Sequence, residues 1–106
     1  MYMKEDVIRF LTELKIKTDE FDGIVNNGIK KNTSNPDAEI QSLIASLDDV
    51  KDAIFNANAI INSVLIKYSE NDLSALVGIE DEINKLTCFE GLIYKMKGPL
   101  VAIFNN

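Results

Sequence analysis

Carboxylates are the main groups in this sequence that could perform chemistry, because the residues that usually work beside them are scarce. The chain of 106 residues has no histidine and one cysteine, Cys88. Histidine is both the commonest general base and the commonest zinc ligand, and one thiol cannot build a thiolate metal site. Without histidine, Cys88 also lacks its usual activating base, so we expect a small core residue and not a reactive thiol.

The spacing of the carboxylates favours a solvated surface over a catalytic site. Asp48 and Asp52 lie four residues apart, whereas the acids over residues 80–82 are consecutive and point in different directions on a helix. A carboxylate-bridged metal site in a helical bundle usually adds Glu-x-x-His pairs, which cannot form here. The glycines are scattered singly, so there is no phosphate-binding loop. We therefore predict no catalytic residue, no metal and no cofactor, and a protein that is not an enzyme.

The net charge of −6 and the pI near 4.5 restrict the class of partner. Nucleic acids and anionic membrane surfaces attract clustered lysine and arginine, so we expect no direct binding to either and favour a protein with a basic surface. No run approaches the ~18 uncharged apolar residues of a membrane span, and the N-terminal MYMKEDVIRF lacks the apolar region of a secretory signal. Together with the single cysteine, these features predict a cytoplasmic location.

A connector with four asparagines, one glycine and one proline separates the first two helical stretches. Its sequence, NNGIKKNTSNPD, places Gly28 where a helix commonly ends. Asn35 then resembles a helix cap and Pro36 a first helical residue. This connector predicts that one helix ends near Gly28 and that the next begins at Pro36.

Three further signals bound or interrupt the third helical stretch. The segment SENDLSALVG offers Asn71 or Asp72 as a new cap, and a kink or stop is expected near Gly91. Gly98-Pro99 should end the helical pattern outright and leave a short apolar tail. We predict one domain over residues 1–106, with helices at about 4–28, 36–70 and 72–97.

Apolar residues recur at spacings of three and four in each stretch, and no segment alternates by two. The longest series lies in the second stretch: Ile40, Leu43, Leu47, Val50, Ile54, Ala57, Ile61, Val64 and Tyr68. The predicted fold is therefore all-α, with three long helices in an antiparallel up-down-up bundle and a short C-terminal segment packed on it.

The second half of the middle helix carries a further, mostly apolar face. Phe55, Ala59, Asn62 and Ile66 lie on one side of the helix, away from the seam described above. Three arrangements could cover this face: the third helix and the C-terminal tail, a second copy of the chain, or another protein. We favour the second copy, which makes a homodimer.

The first half of the same helix has an acidic surface formed by Asp48, Asp49 and Asp52. It is either an ordinary solvated face or a surface that meets a basic partner. We predict a non-enzymatic protein that acts by stoichiometric protein–protein binding. Within this class we favour an inhibitor or antagonist of phage or mobile-element type, or an immunity protein. The alternatives are a self-assembling or small-ligand-sequestering homo-oligomer and a protein resembling an export chaperone.

Overall fold

The computed structural model describes residues 4–69 and 79–104, and all regular structure within these ranges is helical. The predicted caps Asn71 and Asp72 fall outside them. The helices form a rod measuring 53 × 18 × 18 Å. They are α1 (Lys4–Asn32), α2 (Ala38–Ser69) and α3 (Ile79–Phe104).

Side-chain contacts at two levels show that α2 runs antiparallel to α1. At one end of the rod, the side-chain amide of Gln41 donates a hydrogen bond to the backbone carbonyl of Asn32 at 3.0 Å. Further along, Lys15 Nζ of α1 donates to Asn62 Oδ1 of α2 at 3.5 Å. Position in α1 therefore decreases as position in α2 increases, as the short connector requires. The predicted all-α bundle is confirmed.

The predicted seams form the core. On α1 the buried series includes a fully buried threonine, Thr18, among apolar side chains. The seam of α2 is buried from Leu47 to Tyr68, while Leu43 is only partly buried. Helix α3 contributes Ile79, Ile83, Leu86, Phe89, Ile93, Leu100 and Phe104. The period of 3.6 residues thus identified most of the core, although Ile40 of the predicted α2 series is also only partly buried and Leu100 and Phe104 lie beyond the predicted end of the third helix.

The predicted cap of α2 is wrong by two residues. The Asp37 carboxylate accepts a hydrogen bond from the Glu39 amide at 2.8 Å, and the Asp37 carbonyl accepts one from the Gln41 amide at 3.0 Å. These two bonds identify Asp37 as the cap. Asn35 instead supports the turn, since its side chain accepts from the Asp37 amide at 2.9 Å. An Asx turn precedes the helix in place of the predicted Pro36 start.

The predicted end of α1 at Gly28 is also wrong, because this glycine lies inside the helix and is covered by α3. A Cβ atom added to Gly28 would overlap the Phe104 ring. Gly28 therefore provides space for an aromatic side chain, and the helix continues to Asn32. The contact joins the C-terminal turns of both helices, so α3 runs parallel to α1 and completes the up-down-up order.

Helix α3 continues through Gly91 and Pro99, where the sequence predicted breaks. A proline inside a helix removes one hydrogen bond and crowds the preceding turn. Burial of Leu100 and Phe104 opposes that cost, since both side chains lose most of their contact with water only if the helix continues. The predicted C-terminal segment does pack on the bundle, but as the last turns of α3.

Candidate protein-binding face

The outer side of α2 carries exposed apolar side chains that its own bundle does not cover. Phe55 is 75% exposed and Ile66 is 56% exposed. Ala59 and Asn62, between them, are exposed as well. Covering of this face by α3 and the C-terminal residues was one predicted arrangement, and it is wrong, because Leu100 and Phe104 are buried in the bundle core instead.

The acidic residues of α2 extend the same row toward the N-terminus. Asp48 and Asp52 precede Phe55 at spacings of four and three, and Asp49 lies on the adjacent row. All three carboxylates are exposed. We call the row Asp48, Asp52, Phe55, Ala59, Asn62 and Ile66 the outer stripe. Its acidic half is Asp48 and Asp52, and its apolar half is the remaining four residues.

The alternation of four and three makes the outer stripe a second helical seam. Residues spaced in this way stay on one side of an α-helix over several turns, and in coiled coils they receive a partner helix. The inner seam of α2 is already used by its own bundle, from Leu47 to Tyr68. Helix α2 therefore has one satisfied seam and one exposed seam.

Asn62 connects the apolar half to α1. Its carboxamide oxygen accepts a hydrogen bond from Lys15 Nζ, and both side chains are exposed. The bond places one positive charge beside a mostly apolar surface. A partner seated on this face would therefore meet a polar group at its centre, where hydrogen bonding can fix its position.

The side of the bundle formed by α1 and α3 differs from the outer side of α2, because polar side chains there link the two helices. Lys17 Nζ lies 3.3 Å from Glu90 Oε2 and 3.0 Å from the Tyr94 hydroxyl, and it stands 5.2 Å from the centre of the Tyr94 ring. The hydrogen bonds to Tyr94 and then to Glu90 raise the pKa of the Lys17 ammonium. Lys97 also pairs with Glu20. The exposed Tyr94 ring is thus already engaged within the chain.

A cleft of about 670 Å³ separates the second half of α2 from the start of α3. Its apolar lining includes Ile60, Val64 and Ile79, and its charged lining includes Lys67 and Glu82. The linear pattern did not indicate this cleft, because it depends on how far apart the two helices pack. Its lining suits apolar ligand atoms with charges of either sign at the rim.

Cys88 is exposed, so its predicted place in the core is wrong. The buried positions on this part of α3 are Leu86 and Phe89, and Cys88 falls between them on the outer surface. Among the described residues, no group of three acids or thiols is arranged to hold a metal ion.

No protein-family model, no curated protein and no solved structure matches this chain. Within the described ranges, none of the helices combines the length and the apolar character needed to cross a membrane.

Proposed function

We propose that this chain is a non-enzymatic protein that acts by stoichiometric binding to another protein. The observation that supports the proposal is the outer stripe of α2, where Phe55 and Ile66 remain exposed beside a complete inner seam. Large side chains fixed on a rigid helix are effective binding anchors, because little conformational entropy is lost when they are covered. A second seam on a helix that already has its core is difficult to explain by folding alone.

The acidic half selects the charge of the partner. Asp48, Asp49 and Asp52 are exposed, and Lys51 is the only cation among residues 48–52. A basic surface would be attracted to this region before contact and would associate faster at low salt. The same field repels nucleic acid and anionic membranes, so the proposed partner is a protein with a basic surface.

Blocking is the mode of action that such a surface supports. A rigid rod with one binding surface can cover a functional site on its partner without performing chemistry. Within this class we propose an inhibitor or antagonist, as phages and mobile elements use against host proteins, or an immunity protein, acting in the cytoplasm.

The cleft between α2 and α3 supports a second candidate function. A volume of about 670 Å³ falls within the ~300–1,000 Å³ of ordinary small-molecule sites. A homo-oligomer that sequesters a small ligand, or a carrier resembling an export chaperone, would use such a space. This candidate function predicts that a small molecule co-purifies with the protein and contacts Ile60 and Val64 in the cleft.

Affinity capture from the native host tests the main proposal. Wild-type protein should retain one partner at one-to-one stoichiometry, and reversal of Asp48, Asp49 and Asp52 to lysine should abolish retention. The matched control places the same charge change on α1, at the exposed residues Glu5, Glu13 and Asp19. Equal loss from both variants would reduce the effect to net charge and contradict the proposal.

A further inference from the structure

We infer that the apolar half of the outer stripe is the contact between two copies of this chain, paired with their α2 helices antiparallel. The inference shares with the proposed function only the use of the outer stripe as a binding surface. It goes further by assigning one occupant to the apolar half. Asp48 and Asp49 lie beyond the overlap of the two α2 helices and remain free for the basic partner, whereas Asp52 lies at the edge of the contact.

The spacing within the apolar half is itself two-fold symmetric. Phe55, Ala59, Asn62 and Ile66 are separated by four, three and four residues, which reads the same in both directions. A two-fold axis that crosses α2 between residues 60 and 61 therefore maps this set onto itself. Symmetric dimers require such self-complementary surfaces, because residue i of one copy contacts residue j of the other and j contacts i.

The side chains that this axis brings together are compatible in size. Phe55 faces Ile66 of the second copy at both ends of the contact, so each exposed anchor covers the other. Ala59 faces Asn62 of the second copy at the centre, where a small side chain lets the helices approach closely. The two copies of Asn62 lie about 4.5 Å apart along the helix direction, at 1.5 Å per residue, which allows an amide–amide hydrogen bond.

Charge selects the antiparallel pairing over a parallel one. In a parallel pair, Asp48 and Asp52 would each face their own copies, and like charges would repel. In the antiparallel pair, Asp52 lies opposite the last turn of the other α2, which carries Lys67. By the same helical rise, the levels of Asp52 and of Lys67 from the second copy differ by about 3 Å. An acid and a base thus approach each other at both ends of the contact.

The contact area predicts a moderate affinity. The two copies of α2 overlap over residues 52–69, a length of about 27 Å at the standard helical rise. A single helix is about 10–12 Å across, so each copy contributes on the order of 300 Å². The total of about 600 Å² lies at the low end of protein interfaces and fits a reversible dimer of modest affinity.

Sedimentation equilibrium tests the oligomeric state without any partner protein. At about 100 µM, we expect a mass of twice the 11.8 kDa of the chain, because an interface of this size should then be populated. A monomer at this concentration would overturn the inference and leave the proposed binding to another protein unaffected.

Two charge variants test the pairing itself. F55E/I66E places glutamates opposite each other at both ends and should weaken dimerisation at least about 100-fold. F55K/I66E places lysine opposite glutamate in the antiparallel pair only, and it should dimerise at least about 10-fold more tightly than F55E/I66E. Both residues are exposed in the monomer, so circular dichroism should show unchanged helix content. A dimer that tolerates F55E/I66E would contradict the inference.

Distances between identical spin labels on the two copies show whether the α2 helices pair antiparallel or parallel. The labelled positions leave the apolar half of the outer stripe unchanged. Single labels at Asp48 or Asp52, in a C88S background that removes the exposed thiol, should lie about 39 Å and 27 Å from their copies. The decrease of roughly 12 Å over four residues is specific to antiparallel helices. Two equal and short distances, near the ~10 Å spacing of packed helices, would identify a parallel dimer and refute the inference. This measurement applies even if F55E/I66E fails to fold.

Discussion

Replacement of Gly28 by alanine should destabilise the bundle, although alanine is the better helix former. Gly28 lies inside α1, and the Cβ of an alanine there would overlap the Phe104 ring. Gly23 is the matched control, because it lies in the same helix and a Cβ there meets nothing within 4 Å. Gly23→Ala should therefore stabilise the protein by about 0.5–1 kcal/mol.

Gly28→Ala brings the same gain in helix stability as Gly23→Ala, but overpacking against Phe104 opposes it. Forcing an extra carbon into a filled site costs about 1–3 kcal/mol. The loss has an upper limit, because the last turn of α3 could detach and release the ring. Detachment would sacrifice the burial of one phenylalanine, about 1.5–3 kcal/mol. We expect Gly28→Ala to be about 1–3 kcal/mol less stable than Gly23→Ala.

Urea denaturation followed by far-ultraviolet circular dichroism measures both variants. A double-mutant cycle with Phe104→Ala identifies the cause, since removal of the ring removes the clash. In that background Gly28→Ala should become stabilising by about 0.5–1 kcal/mol, as Gly23→Ala is. If Gly28→Ala already stabilises the wild-type protein as much as Gly23→Ala does, Phe104 does not occupy this position and α3 does not end as described.

Three further predictions concern stability and use the same denaturation assay. Pro99→Ala should stabilise the protein by about 1–2 kcal/mol because it restores a helical hydrogen bond, and a loss would contradict a helix through this residue. Thr18→Val should stabilise by about 1 kcal/mol, since the fully buried Thr18 hydroxyl has no hydrogen-bond partner within the described residues. A decrease would reveal a partner for that hydroxyl. Leu47→Ala should cost about 2–5 kcal/mol and Asp49→Ala less than about 0.5 kcal/mol, and the reverse order would place the wrong side of α2 in the core.

The sequence alone determined which elements form and which sides of them are buried. Helical periodicity depends only on 3.6 residues per turn, so the seams of α1 and α2 could be located before any packing was known. The same reasoning separated Phe55 and Ile66 from the inner seam, and both are exposed in the structure. The chemistry that histidine would provide could also be excluded from composition alone.

Local signals predicted the helix ends poorly, because tertiary contacts outweighed them. Gly28 and Pro99 are ordinary signs of a helix end, yet both lie inside helices. The energy that opposes these signals comes from Phe104, a residue 76 positions from Gly28 in the chain. A local pattern cannot contain a contact between residues so far apart.

Tertiary structure likewise decided which side chains outside the predicted seams are exposed. Cys88 is exposed because Leu86 and Phe89 of α3 are buried in the bundle and Cys88 falls between them on the outer surface. The cleft beside Ile60 depends on the separation of α2 and α3, which no single helix encodes. The sequence therefore specified an apolar second face on α2, whereas only the packing of three helices could establish that this face stays open.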